Sequence, residues 1–290
     1  PEAKTLPNQI ALARALHLSS LTESDRPFHL ILDVPPPPQA VTEPHAEVEV
    51  FWINAITWRA VIRSNDFNQV RIRNGSAIEE HSIGTFYPRW IQNFADALFE
   101  PVPELAVLEK IPGSVPISHE SHACIVAPES AVQACFQGNQ PLLASGRNAS
   151  RYVAFDDFSP FGSQQIPRTL VSELPGGILL RGHIVRLEPL SRGDYSIVQA
   201  REFTLPANQL QTVWVSPQNA EALLQTTPTA SPDGAGQVYI RTDRTGQVRE
   251  AYPESTAQNP QALRRALALK FKPLIVDGSA RQMETTFVLR

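Results

Sequence analysis

The sequence predicts an α+β protein: a large curved antiparallel sheet, an unclosed barrel with helices on one face, followed by a small ββαβ unit. Three observations carry this expectation. Apolar and polar residues alternate with period two from Ala46 to Ser82. Strand-like runs recur at short intervals as far as Phe203. After Gly236 two strand-like runs, a one-sided helix and a last strand follow one another between glycine turns. Many antiparallel strands with few helices fit one sheet with its helices set against a single face.

Taken in order, Pro7 to Leu18 places Ile10, Leu12, Ala13 and Leu16 at helical spacing, with Pro7 where a first-turn proline is tolerated. Phe28 to Val34 is strand-like, and Pro35 to Pro38 is an extended polyproline connector. In the meander that follows, Val48, Val50 and Trp52 oppose Glu47 and Glu49. Trp58, Ala60 and Ile62 oppose Arg59 and Arg63, and Val70 and Ile72 oppose Gln69, Arg71 and Arg73. The three apolar rows are expected to share the buried face, with acidic and basic rows facing each other across the polar one. Asn74-Gly75 marks a tight turn. Trp90, Ile91, Phe94, Leu98 and Phe99 then give the helix Pro88 to Phe99 a broad aromatic stripe. Strands are expected at Leu105–Ile111, Ser121–Ala127, Val132–Phe136, Tyr152–Phe158, Thr169–Leu174, Gly177–Leu187 and Tyr195–Phe203. A stretch from 211 to 235 reads as a linker carrying a short helix that starts at Ser216-Pro217. It separates a domain over 1–210 from one over 236–290. In the latter, Gln237–Asp243 and Gln247–Tyr252 flank a tight turn. Asn259 is the N-cap of a helix with Pro260 at its first position, and Asp277-Gly278 turns into a strand ending at Leu289.

Composition narrows the function. Of 290 residues, 42% are hydrophobic and 19% charged, with 26 prolines, which suits a folded chain rich in turns. A formal charge of −4 supplies no basic field for nucleic acid. No apolar run reaches the roughly 18 residues that a membrane span needs. The chain starts at Pro1, and Met283 is its one methionine, so a processed chain is expected, its signal or anchor segment lying before it. Cys124 and Cys135 flank a turn at Pro128-Glu129-Ser130; as a disulfide they would contribute about 2–3 kcal/mol and point to an oxidising, extracytoplasmic compartment. Two alternatives stay open, a pair of buried thiols and a metal site joined by His119 and His122. Residues three apart on one strand point to opposite faces, which weighs against the metal.

Two resemblances add to this reading. Trp52-Ile-Asn-Ala-Ile-Thr-Trp-Arg-Ala-Val-Ile62, Phe67 to Gly75, Tyr152 to Phe158, Ile166-Pro167-Arg168, Gly182 to Glu188 and Phe203-Thr-Leu-Pro206 resemble strands of the LolA and LolB lipoprotein-carrier superfamily. That resemblance spans about Pro7 to Pro206 and implies an unclosed barrel that holds acyl chains under helices. Leu269-Lys-Phe-Lys-Pro-Leu-Ile-Val-Asp-Gly278, with Met283 to Leu289, resembles the TonB C-terminal domain family. It implies a sheet edge that accepts an extended peptide of a membrane protein. TonB itself has an N-terminal membrane helix and a Pro-rich spacer, and this sequence shows neither, so energy coupling is not implied.

The residues offer no phosphate loop, no paired zinc-type histidines and no nucleophile elbow, since Ser163 lacks the second glycine of that motif. Asp156 and Asp157 would face opposite ways on a strand. The leading expectation is a non-enzymatic binding protein without cofactor or metal. Trp52, Trp58, Trp90 and Phe94 are the candidate hydrophobic-ligand residues, and an ordinary filled core is the alternative for the same side chains. Arg281, Met283, Thr285, Phe287 and Leu289 mark the candidate partner-strand edge. An interaction protein without ligand carriage, and a hydrolase using His119 and His122, are the other readings.

Overall fold

The computed structural model describes residues 7–38, 45–65, 67–110, 117–119, 122–127, 129–137, 141–200, 210, 212–226, 236–254 and 259–289. After a helix α1 (Pro7–Ser19), five strands follow: β1 (Phe28–Val34), β2 (Ala46–Asn54), β3 (Thr57–Arg63), β4 (Phe67–Asn74) and β5 (Ala77–Gly84). Helices α2 (Arg89–Phe99) and α3 (Leu105–Lys110) lead to β6 (Ile117–His119), β7 (His122–Ala127), β8 (Val132–Gln137) and β9 (Leu143–Arg147). The large sheet ends with β10 (Tyr152–Phe161), β11 (Gln164–Leu174) and β12 (Ile178–Pro189), and a short helix α4 (Tyr195–Gln199) follows. These twelve strands form one sheet in the order β5-β4-β3-β2-β1-β12-β11-β10-β9-β8-β7-β6. Successive hairpins carry the chain outward from β1 to β5. It then crosses through α2 and α3 to the opposite edge and returns to β12, which closes on β1 from Phe28↔Pro189 to Asp33↔His183. β5 and β6 are the two ends, so the sheet is an unclosed barrel.

Its inner face is filled by α2. Trp90, Ile91, Phe94, Ala95, Ala97 and Leu98 are all buried, packed with Leu30, Leu32, Val48, Ile62, Leu170 and Leu180 of the strands. Gly182 makes room for this: a Cβ there would stand 3.0 Å from Phe94 Cε1. Helix α1 packs on β8, β9 and β11 through Leu12 and Ala15. Its buried stripe is Leu12, Ala15 and Ser19, so Ile10, expected on it, stays exposed.

The strands expected at Leu105–Ile111 and Tyr195–Phe203 are corrected. The first is helix α3 over Leu105–Lys110, whose Leu, Ala, Glu and Lys are good helix formers that outweigh a short apolar alternation. The second begins as α4 after a tight turn in which Ser191 Oγ donates to Asp194 (2.6 Å). Residues 201–203, Ile111, Ser121 and Pro128 lie outside the described residues. The cysteines pair directly across β7 and β8, Cys124↔Cys135, and form a disulfide.

Through the meander the alternation is as expected, but β4 turns the other way. Its register sets Gln69 against Ile62, Arg71 against Ala60 and Arg73 against Trp58, all on the inner row. Val70 and Ile72 therefore lie on the outer face, in a small apolar cluster with Val61. Since pairing fixes which parity points inward, the polar row of β4 is carried to the inside.

The second sheet comprises β13 (Thr212–Trp214), β14 (Gly236–Thr242), β15 (Val248–Pro253) and β17 (Ser279–Leu289), in the order β13-β17-β14-β15, with β16 (Leu274–Val276) pairing the start of β17. Helices α5 (Pro217–Leu223) and α6 (Pro260–Leu267) belong to it. Asn259 Oδ1 caps α6 by accepting from the backbone N–H of Gln261 and Ala262 (both 3.1 Å). Met283, Phe287 and Leu289 pack with Ala262 and Ala266 of α6, as their parity predicts. The stretch expected as linker thus supplies a strand and a helix to this sheet. Residues 227–235 lie outside the described ones.

Candidate functional site

The inner row Phe28, Trp52, Trp58, Arg73 and Ile78 runs side by side across β1 to β5. Between this row and the C-terminal turns of α2 lies a pocket of about 480 Å³. Trp52, Trp58, Phe99 and Ile78 form its apolar wall, and Arg71, Arg73, Glu80, Asp96 and Glu100 its polar one. Trp58 stacks on Phe99 with ring centres 4.4 Å apart, and Trp52 on Phe28 at 5.7 Å. Trp52 Nε1 is buried with no protein partner. Ile78 is 54% exposed, which places the pocket at the open edge of the sheet.

The polar wall is organised around Arg71, an arginine on the inner face of a barrel and mostly shielded from water. It lies 3.5 Å from Glu80 and 3.4 Å from Asp96 of α2, with its guanidinium 5.9 Å from the Tyr87 ring centre. Gln69 donates to Glu80 at 2.6 Å. Burial opposes the charge on Arg71, but Tyr87, Asp96 and Glu80 outweigh it and hold its pKa above the ordinary guanidinium value. Burial pushes Glu80 up, only partly countered by Arg71. This edge therefore carries a permanent cation beside a carboxylate that gives up its proton reluctantly.

Of the candidate ligand residues, Trp52 and Trp58 line this pocket. Trp90 and Phe94 do not: both are buried on α2 in the filled core, and they shape the pocket only through the helix. Phe99, Ile78, Arg71 and Arg73 line it as well and were not singled out from the sequence. The signal for the arginines was the basic row of β4, read there as solvent-facing.

The edge strand is also partly corrected. β13 runs parallel to β17 and pairs Thr212 to Trp214 with Gln282 to Glu284, while β16 covers Ser279 to Arg281. The expected edge at Arg281 and Met283 is thus occupied. Beyond Glu284, whose carbonyl accepts from Val215 N–H (2.9 Å), no described strand pairs that side of Thr285 to Leu289. Trp214 (54% exposed) and Val288 (48%) stand beside this stretch.

The other face of β17 meets the half-barrel. Arg241, 3% exposed, donates to the Tyr87 carbonyl and to Gln92 Oε1 (3.0 Å each), and to Glu284 Oε2 at 2.8 Å. Tyr239 donates to the same carboxylate oxygen at 2.6 Å. Burial disfavours the Arg241 charge, yet Tyr239, Glu284 and Glu250 around it raise its pKa. Burial likewise would raise Glu284, and Arg241 with Tyr239 brings it below the ordinary carboxylate value. Burial pushes the Tyr239 phenol up to about 12, so it stays a donor. Gly176, at φ +80°, lets the β11–β12 turn abut Pro253, where a Cβ would stand 2.5 Å from Pro253 Cγ. A groove of about 630 Å³ opens along this seam between Arg89, Arg147, Tyr152, Trp214, Tyr239 and Glu254.

His119 and His122 sit opposite each other on β6 and β7 rather than three apart on one strand, so the parity argument against a shared site does not apply to them. Their side chains lie outside the described residues. Asp156 and Asp157 are both exposed; Asp157 has φ +55° and its N–H donates to the Asp156 carboxylate (2.8 Å), an arrangement of a strand kink. Among the described residues no three metal-ligating side chains gather, and no helix is long and apolar enough to cross a membrane.

No family model matches the chain, and no curated protein does. Solved structures similar to it include a LolA superfamily protein of Nitrosomonas europaea, with TM-score 0.38 and 10% identity over 66% of this chain and 98% of that one. A lipoprotein-sorting protein domain of Vibrio parahaemolyticus has TM-score 0.39 and 6% identity over 67% and 97%. A DUF1329 family protein of Desulfovibrio piger has TM-score 0.36 and 8% identity over 67% and 100%.

Proposed function

We propose that this chain is a non-enzymatic, extracytoplasmic binding protein whose half-barrel holds a hydrophobic ligand with an anionic end, such as an acyl chain or a lipidated protein. The carrying observation is the pocket at the β5 edge, which pairs an aromatic wall of Trp52, Trp58 and Phe99 with the guanidinium groups of Arg71 and Arg73. Its volume suits a lipid tail, since small-molecule sites run to about 300–1,000 Å³ with few polar groups. The Cys124–Cys135 disulfide supports an oxidising compartment. The test is titration with oleate, followed by tryptophan fluorescence and by native mass spectrometry of the purified protein. Saturable quenching that is weakened at least about tenfold in Trp58→Ala, a loss of about 1.4 kcal/mol, supports the reading. Equal binding by Trp58→Ala and the wild type, or no binding by either, rejects it.

A second activity is favoured by the open side of β17. An extended peptide would pair with Thr285 to Leu289 there, continuing the line of β13. Backbone groups alternate sides along a strand, so Thr286 N–H points the same way as the Glu284 carbonyl, toward the unpaired side. Thr286→Pro removes that donor without touching the ladder to β14. A partner peptide captured by the wild type and lost by this variant, with unchanged circular dichroism, is the expected result; equal capture by both rules the edge out.

A further inference from the structure

Helix α2 fills the half-barrel, yet its own sequence does not hold its first turn. Its N-cap is Pro88, which has no N–H and no side-chain acceptor, and no side-chain cap bond forms there. The missing acceptor comes from far along the chain. Glu250, on β15, receives the Arg89 N–H on both carboxylate oxygens (2.9 and 3.2 Å). Tyr252 fixes that carboxylate by donating its hydroxyl to it at 2.9 Å. Glu250 is 7% exposed, so water does not replace it.

The connector from β5 to α2 is held in the same way, residue by residue. The Thr85 carbonyl accepts from Arg244 N–H (3.2 Å), and the guanidinium of Arg249 lies 5.4 Å from the Phe86 ring centre. Gln282, wholly buried, takes the Tyr87 N–H on its Oε1 and returns a bond from Nε2 to the Tyr87 carbonyl (3.2 Å). A side-chain amide thus makes a two-way rung with a backbone unit, as a neighbouring strand would. Arg241 adds a second donor to the Tyr87 carbonyl and binds Gln92 on the first turn of the helix. Arg89 in turn lays its guanidinium over Tyr239, 4.7 Å from the ring centre. The Tyr87 ring, meanwhile, points into the barrel and stacks on Phe67 at 4.2 Å. One short connector is therefore anchored by its ring in the first sheet and by its backbone in the second.

At its other end α2 is held by the barrel itself, where Asp96 meets Arg71 (3.4 Å) and Arg151 (3.8 Å) beside the ligand pocket. The two ends of one helix thus answer to two different sheets. We propose that the C-terminal sheet is the latch of the half-barrel: it supplies the cap and backbone partners that keep α2 seated, so that loosening this contact frees the helix walling the pocket. Arg89, Tyr239 and Glu284 of this contact line the groove along the seam, whereas Gln282 and Glu250 are buried and do not line it. A partner that engages the second sheet along that groove would reach the latch through Arg89 and Glu284.

The experiment is hydrogen exchange by mass spectrometry on the full chain, in Gln282→Leu and Glu250→Ala, with Glu250→Gln as the conservative variant. Exchange over Tyr87 to Phe99 is expected to quicken by about 5- to 30-fold in the first two, the population change that losing a cap or a buried bond produces. Peptides from β10 and β11 keep wild-type protection, and Glu250→Gln, which retains an acceptor oxygen, stays near wild type. Unchanged exchange in α2 overturns the latch. So does uniform acceleration over the whole chain, which reports global weakening instead. Uptake of cis-parinaric acid, followed by its fluorescence, separates this from the ligand reading on which its purpose rests. Faster α2 exchange with no uptake by any variant keeps the latch and removes the hydrophobic ligand, whereas uptake with unchanged α2 exchange does the reverse.

Discussion

Strands β2–β3 and β4 belong to one meander and share one alternation of apolar and polar residues, yet they present opposite rows to the interior. On β2 and β3 the inner row is Val48, Val50, Trp52, Trp58, Ala60 and Ile62, and the outer row pairs Arg63 with Glu47 (2.7 Å) and Glu49 (2.8 Å). On β4 the inner row is Gln69, Arg71 and Arg73, and the apolar Val70 and Ile72 look outward. The difference teaches that alternation reports that a strand has two unlike faces, while pairing decides which of them is inside. An arginine carried inward must then find carboxylates, and Glu80 and Asp96 meet it at the pocket edge.

Three experiments break or sharpen this contrast. Truncating the deep inner row should cost most: Ile62→Ala, at a wholly buried site, is expected to lose about 3–4 kcal/mol in urea unfolding, whereas Ile72→Ala in the outer cluster should lose about 2 kcal/mol or less. Equal losses would mean that the outer cluster is a second full core. Arg71→Ala is expected to cost about 2 kcal/mol, below the range for a fully buried pair because its side chain keeps 17% exposure. Arg71→Met should recover most of that loss while abolishing any preference of the pocket for an anionic end, which binding of oleate against oleyl alcohol would report. A preference retained in Arg71→Met would show that the guanidinium does not read the ligand. The smallest effect concerns pH. Glu284 has its folded pKa lowered, so its stabilising effect is present above the ordinary value of 4.5 and is lost as pH falls through the folded one. The stability gap between wild type and Glu284→Gln should therefore be widest near neutrality and close on acidification below 4.5. A gap that widens in acid would contradict this sign.

The sequence by itself determined much of the architecture. Period-two runs and glycine turns specified the meander, the Asn259 cap with Pro260 specified α6, and two cysteines across a turn pointed to the staple that the structure forms between β7 and β8. These are local signals, written within a few residues of where they act. What tertiary structure decided was everything that depends on a distant partner. Which row of β4 points inward is set by its register with β3, and whether β17 has a free edge is set by β13, which the sequence offered as part of a linker. The pocket unites β2, β3 and β4 with the far end of α2, and the cap of that helix comes from Glu250. A glutamate 161 positions away leaves no periodic trace near Pro88, because the carboxylate and the N–H that it satisfies meet only after both sheets have formed.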